Sequence, residues 1–62
     1  GSMEEIVALK QQIAKAQKEL ETLEKRMRRE PQVNLQMEMH ARARKKRKEL
    51  EELKEQLKEF GV

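Results

Sequence analysis

The sequence contains no cysteine, tryptophan, tyrosine or aspartate, and only two glycines, one proline and one phenylalanine among its 62 residues. Without cysteine the chain has neither a disulfide framework nor a thiolate metal site, and the redox compartment cannot be inferred from cysteine usage. The scarcity of glycine, proline and aromatic residues argues against a fold of strands and tight turns. Helix is the regular structure that this composition predicts.

Long apolar runs are missing as well. Charged residues make up 44% of the chain and hydrophobic residues 35%, and the two kinds alternate throughout, so we expect neither a membrane span nor a secretory leader. A chain of this length forms one domain, and a single core of this size supplies about 3 to 5 kcal/mol at most. We interpret Gly1 and Ser2 as a tag remnant (residues 1–2) and residues 3–62 as one helical domain.

Apolar residues recur at alternating steps of three and four in both halves of the chain, which is typical of a coiled-coil seam. The series is unbroken in the first half, whereas Lys46 interrupts it in the second. The predicted apolar seam consists of Ile6, Leu9, Ile13, Ala16, Leu20, Leu23, Met27, Met39, Ala43, Leu50, Leu53, Leu57 and Phe60.

The two stripes of the seam are out of phase with each other. The matching positions Met27 and Gln36 are nine residues apart, which at about 100° per residue is two and a half turns. In one straight helix the stripe would therefore switch to the opposite face. Pro31 lies at this break, where it disfavours helical geometry for Glu30 and removes a backbone donor.

A helical hairpin accommodates this break. We predict a helix over 4–30, a turn over 31–34 that ends on Asn34 as the helix N-cap, and a second helix over 35–60. If the chain turns about Val33, facing residues have numbers that add up to 66, and every seam residue except Leu20, which faces Lys46, then meets another one. The predicted fold class is all-α: a two-helix antiparallel coiled-coil hairpin, with self-association as a further option.

Three flanking pairs count against this register. It sets Lys10 against Lys54, Glu19 against Glu49 and Arg26 against Arg42, and like charges opposite each other are unfavourable. Two alternatives therefore stay open. In the first, hairpins associate so that neighbouring chains separate these charges. In the second, the two helices diverge at a kink at Pro31 and pair with different chains.

Positive charge is concentrated in the middle of the chain. Residues 25–48 carry ten basic and two acidic groups, a net +8, whereas residues 1–24 and 49–62 carry net charges of −2 and −3. In a hairpin the basic residues gather near the turn and form a candidate surface for a partner. The candidate partner-binding residues are Lys25, Arg26, Arg28, Arg29, Arg42, Arg44, Lys45, Lys46, Arg47 and Lys48.

This basic surface allows several interpretations. An ordinary solvated helix face, contact with phosphates, a nuclear localisation signal at residues 45–48 and an acidic protein partner all fit its composition. We expect an intracellular protein, cytoplasmic or nuclear. Binding in a calmodulin groove or on a membrane is disfavoured, because Ala43 is the only apolar residue within the run 42–48.

Residues that suit chemistry are few. His40 is the single histidine, and in the hairpin it faces Glu24, which is too small a set for a metal site. The twelve glutamates are spread over exposed helix, and the hydroxyl groups of Ser2 and Thr22 have no base beside them. We therefore predict no enzyme, no metal, no cofactor and no small-molecule substrate.

The function that these observations favour is a non-enzymatic coiled-coil module for protein interaction or oligomerisation, which docks onto another macromolecule. The alternative is a nucleic-acid-binding hairpin whose basic residues 25–48 make sequence-nonspecific phosphate contacts. Without tryptophan or tyrosine such a protein could not read bases by stacking. A protein partner or a second copy of the chain is the primary expectation.

Overall fold

Two long helices account for most of residues 1–61, the part of the chain that the computed structural model describes. Helix α1 spans Ser2–Arg29 and helix α2 spans Val33–Lys58. Only Glu30, Pro31 and Gln32 lie between them. Glu30 has extended backbone angles (φ −77°, ψ 116°), as expected for a residue whose helical conformation is blocked by the proline that follows it.

The helix boundaries differ from the predicted ones by one or two residues. Asn34 is not the N-cap of the second helix: Gln32 is, with extended angles of φ −88° and ψ 123°, and its carbonyl accepts the first helical bond from the Gln36 amide at 3.0 Å. The prediction was wrong because Pro31 restricts the residue before it, Glu30, and leaves Gln32 free to take the N-cap position. The helix can therefore restart at once.

The start of α1 and the end of α2 also differ from the predicted boundaries by one or two residues. Helix α1 includes Ser2, which we assigned to the tag remnant, and its first turn carries Glu4 and Glu5, whose negative charge favours a helix N-terminus. Helix α2 ends before Phe60. There the amides of Phe60 and Gly61 bond carbonyls three residues back, at 3.1 and 2.9 Å, and Gly61 has a φ of 76°, the left-handed geometry that glycine adopts without strain.

The Gln36 side chain ties the start of α2 to the end of α1. Its amide nitrogen Nε2 donates to the Glu30 carbonyl at 2.8 Å and to the Met27 carbonyl at 3.4 Å. The Glu30 carbonyl belongs to the C-cap residue of α1, and the Met27 carbonyl in the last turn also accepts from the Glu30 amide at 3.3 Å. In addition, the Gln32 amide donates to the Glu30 carboxylate at 3.1 Å. The turn is therefore held by side chains as well as by proline.

The two helices pack against each other as a hairpin. The described residues extend 47 × 14 × 13 Å, about half of the roughly 90 Å that one continuous helix of this length would span at 1.5 Å per residue. Bonds between the helices join Gln36 to Met27 and Lys46 to Glu19. Since the numbers rise on one helix as they fall on the other, the helices run in opposite directions.

The core of the hairpin is narrow. Among residues 1–61 the buried hydrophobic residues are Leu9, Ala16, Ala43 and Leu50, and Ala43 has no exposed surface at all. All four belong to the predicted seam. The other seam residues are half-buried: Ile6, Ile13, Leu20, Leu23, Met27, Met39, Leu53, Leu57 and Phe60. A layer of two helices covers only the centre of its contact stripe, because solvent reaches both sides.

Within the described chain, neither helix contains an apolar stretch long enough to cross a membrane.

Replacing Gln36 by methionine keeps the size of the side chain and removes the donor to the α1 carbonyls. We expect Gln36→Met to lower the free energy of unfolding by about 0.5 to 1.5 kcal/mol, the usual contribution of such a hydrogen bond. Urea denaturation followed by circular dichroism measures this. Gln56→Met, at an exposed position of α2, is the matched control and should be nearly neutral; equal losses in both variants would contradict the capping role.

Replacing Ala43 by leucine tests the packing at the most buried position. Because no space surrounds Ala43, we expect Ala43→Leu to destabilise the hairpin by about 1 to 3 kcal/mol through overpacking. Thermal denaturation is the measurement. Ala41→Leu makes the same change on an exposed part of the same helix; if both variants melt alike, the two helices do not meet at Ala43.

Candidate functional site

Lys46 is the polar residue that interrupts the apolar seam, and it forms the main ion pair between the helices. Its ammonium group lies 2.8 Å from a Glu19 carboxylate oxygen and 3.5 Å from one of Glu49, and its side chain is 27% exposed. The register predicted from the sequence sets Glu19 against Glu49. Lys46 lies between these carboxylates and offsets their repulsion, so that pair is not a defect of the hairpin.

This contact shifts the titration of both partners. The hydrogen bond from Lys46, together with its charge, lowers the pKa of Glu19 from its usual 4.5. The same hydrogen bond raises the pKa of Lys46 above its usual 10.5, against a smaller opposing effect of desolvation, while the charges of Glu19 and Glu49 raise it further. Both groups are therefore charged at neutral pH.

Removing the Glu19 charge should make the hairpin less stable in a pH-dependent way. The pKa of Glu19 is lower in the folded state, so its contribution is present above about pH 4.5 and disappears as the pH falls through the folded value. We expect Glu19→Gln to melt below the unmodified chain at about pH 7, and the difference to vanish near pH 2. Glu21→Gln, at an exposed site of α1, is the control. A melting difference that persists at low pH would contradict this ion pair.

A groove of about 600 Å³ runs along this side of the hairpin, between α1 and α2. Thr22 and Leu23 form part of its wall, and all other lining residues are charged. Six are basic and two acidic: Lys15, Lys18, Arg26, Arg42, Lys45, Lys46, Glu19 and Glu49. We call this the basic groove. Since Lys46 is paired with both glutamates, five further cations contribute an excess of positive charge.

These five cations, Lys15, Lys18, Arg26, Arg42 and Lys45, form no ion pair within residues 1–61, and all five are exposed. Arg26 and Arg42, one of the three like-charged pairs predicted from the sequence, come from different helices and line the same groove. The two glutamates of the groove are paired with Lys46, so the positive charge of the groove exceeds its negative charge. The groove is therefore suited to an anionic ligand.

The hairpin has a second ion pair between the helices, outside the basic groove. There Arg47 binds the Glu24 carboxylate at 3.5 Å, and the Arg28 side chain donates to the Glu24 carbonyl at 3.4 Å. We predicted that Glu24 faces His40; its ion-pair partner in the structure is Arg47, whose longer side chain reaches it from about two turns further along α2. His40 is exposed. In the described residues no three potential ligands are grouped so as to hold a metal ion.

The ten basic residues that the sequence singled out are thus distributed over both sides. Arg26, Arg42, Lys45 and Lys46 line the basic groove, whereas six lie outside it: Lys25, Arg28, Arg29, Arg44, Arg47 and Lys48. Counting charge along the chain missed Lys15 and Lys18, which lie in a segment of net negative charge. Helical spacing carries the missing signal, because Lys15, Lys18, Thr22 and Arg26 follow one another at steps of three and four.

Among residues 1–61, four large apolar side chains lie outside the seam and are exposed. They are Met3 (73%), Val7 (47%), Val33 (67%) and Met37 (66%). Met3 and Val7 lie one helical turn apart near the free end of α1, and Val33 and Met37 lie one turn apart at the start of α2. Neither pair extends into a broad apolar face.

None of the protein-family models, curated proteins or solved structures compared with this chain matches it.

Proposed function

We propose that this chain is a non-enzymatic coiled-coil interaction module that docks onto another macromolecule, in the first place a second copy of itself. The supporting observation is the incomplete burial of the seam. Nine of its apolar residues are only half-buried in the two-helix layer, and a chain of this size gains little stability from one narrow core. Association would cover these residues further, as in helical bundles.

The charge distribution favours one orientation for a pair of hairpins. The turn end carries the net +8 of residues 25–48, while the other end carries the negative excess of residues 1–24 and 49–62. Two copies packed side by side with their turns at opposite ends would bring each basic end next to an acidic end. Such complementarity selects orientation more than it adds affinity, so the apolar seam remains the source of stability.

The absence of catalytic activity and an intracellular location are parts of the same proposal. Most glutamates are exposed to solvent, whereas carboxyl groups that act in acid–base catalysis commonly lie in clefts. The run Lys45 to Lys48 has the composition of a nuclear localisation signal, which fits a cytoplasmic or nuclear protein.

Sedimentation equilibrium over a range of concentrations tests self-association. We expect the unmodified chain to form dimers or larger assemblies, and a variant with Leu20→Asp and Leu53→Asp to lose both assembly and helicity, because two half-buried seam positions then carry charge. Ala8→Asp with Ala41→Asp is the control, since it adds the same charges at exposed positions, one on each helix. It should remain helical and associated.

Two results would contradict the proposal. A chain that stays monomeric at every concentration would exclude self-association while leaving the hairpin itself intact. A seam variant that remains as helical and as associated as the control would show that the seam does not hold the helices together.

Nucleic-acid binding is the second candidate function, and the basic groove favours it. Five cations without ion pairs in residues 1–61 line one open groove. This concentration of positive charge exceeds what the solubility of a helix face requires. Salt separates the two functions. Assembly through an apolar seam depends weakly on ionic strength, whereas phosphate binding weakens steeply as salt is added, since bound counterions are released from the nucleic acid.

A further inference from the structure

The basic groove combines cations from both helices in a way that neither helix presents alone. Lys15, Lys18 and Arg26 come from α1, and Arg42 and Lys45 come from α2. The α1 residues extend over eleven positions, about 16 Å along the helix at 1.5 Å per residue. The groove is therefore a band of positive charge, longer than a single small anion would occupy.

The two groove arginines indicate the chemistry of the ligand. Arg26 and Arg42 line the groove from different helices, and a guanidinium group offers a planar fork that matches a phosphate. The carboxylates in the groove do not compete for these arginines in the described structure, since both Glu19 and Glu49 bind Lys46. An anion with several oxygens would be held from both sides.

We propose that the basic groove binds the phosphate backbone of a duplex nucleic acid, with Lys15, Lys18, Arg26, Arg42 and Lys45 as the phosphate-contacting residues. This inference rests on the nucleic-acid function proposed above and assigns its site. Successive phosphates of one strand advance about 3.4 Å along a duplex axis, so the 16 Å band spans several of them. The contacts are to phosphate only, which makes the binding independent of sequence.

An acidic protein surface fits the groove less well. Stable protein interfaces have an apolar centre formed by anchoring side chains, and Leu23 is the one apolar side chain among the residues that line the groove. A single-stranded nucleic acid is disfavoured too, because the sequence has no tryptophan or tyrosine for base stacking and its one phenylalanine, Phe60, lies at the other end of the hairpin.

The shape of the hairpin agrees with backbone contact. Its Cα atoms alone span 14 × 13 Å in cross-section, whereas the major groove of B-form DNA is about 12 Å wide and admits one helix. A surface formed by two helices side by side therefore lies across a phosphate strand and does not enter the groove to read bases.

Two variants of equal charge test the assignment. The groove variant carries Lys18→Gln, Arg26→Gln and Arg42→Gln; the control variant carries Lys25→Gln, Arg28→Gln and Arg44→Gln, at exposed positions outside the groove. Each lowers the net charge of +3 by three, and glutamine is a good helix former. Circular dichroism first verifies that both remain helical. Fluorescence anisotropy then measures binding to short labelled DNA and RNA duplexes at about 50 and 200 mM salt, with polyglutamate as a competitor.

We expect the groove variant to lose at least about tenfold in affinity, and its salt dependence to become shallower by two to three in slope, about one for each phosphate contact removed. The control should lose less than about threefold, because its charges lie outside the groove and make no direct phosphate contact in this assignment.

The remaining outcomes overturn the site, the nucleic-acid function or the class of partner. Equal losses in the two variants would leave nucleic-acid binding standing and exclude the groove as its site. No binding of the unmodified chain to either duplex at low salt would exclude both, without affecting self-association, which sedimentation tests separately. Polyglutamate and unlabelled duplex are compared at equal concentrations of negative charge. If both displace the labelled duplex equally well, the groove is assigned to an acidic protein partner instead of a nucleic acid.

Discussion

The helix break at Pro31 is the constraint on which the rest of the structure depends. Proline forces Glu30 into extended geometry, and the shift of phase between the two apolar stripes means that they can be buried together only if the chain turns back. Gln36 then binds the carbonyls at the end of α1 and holds this turn. Once the helices run in opposite directions, residues far apart in the chain, such as Lys15 and Glu49, line the same groove.

Lys46 shows how a polar residue can fit an apolar seam. Its stem lies beside the core while its ammonium group reaches Glu19 and Glu49, the behaviour of a long side chain at an interface edge. The contribution of this ion pair is modest, because both carboxylates are largely exposed. Its position matters more, since a shifted register would leave the two glutamates facing each other without a cation.

The narrow core and the charged surface point to a protein that acts through association. Four buried residues are few for a chain of 62, and small helical domains commonly gain stability by covering their seam with another chain. The two proposed interactions use different parts of the hairpin. The proposed self-association would use the half-buried seam and the proposed nucleic-acid binding the basic groove beside it, so the two do not compete for the same surface.

By itself the sequence determined the helical class, the turn at Pro31 and the apolar residues that the two helices bury against each other. These features follow from local rules, since apolar spacing and proline geometry act over a few neighbouring residues. The start of α2 at Val33 instead of Leu35 was missed because several residues near a break can cap a helix.

Only the tertiary structure decided which charges share a surface. Counting along the chain grouped Lys25, Arg28 and Arg44 with the groove arginines and left out Lys15 and Lys18. The folded hairpin does the reverse, because side chains three or four residues apart share a helix face while immediate neighbours point in different directions. The same holds for the pairing of Lys46 with Glu19 across the two helices. Such contacts depend on the distance between two helices, and that distance is set by packing at small residues such as Ala16 and Ala43.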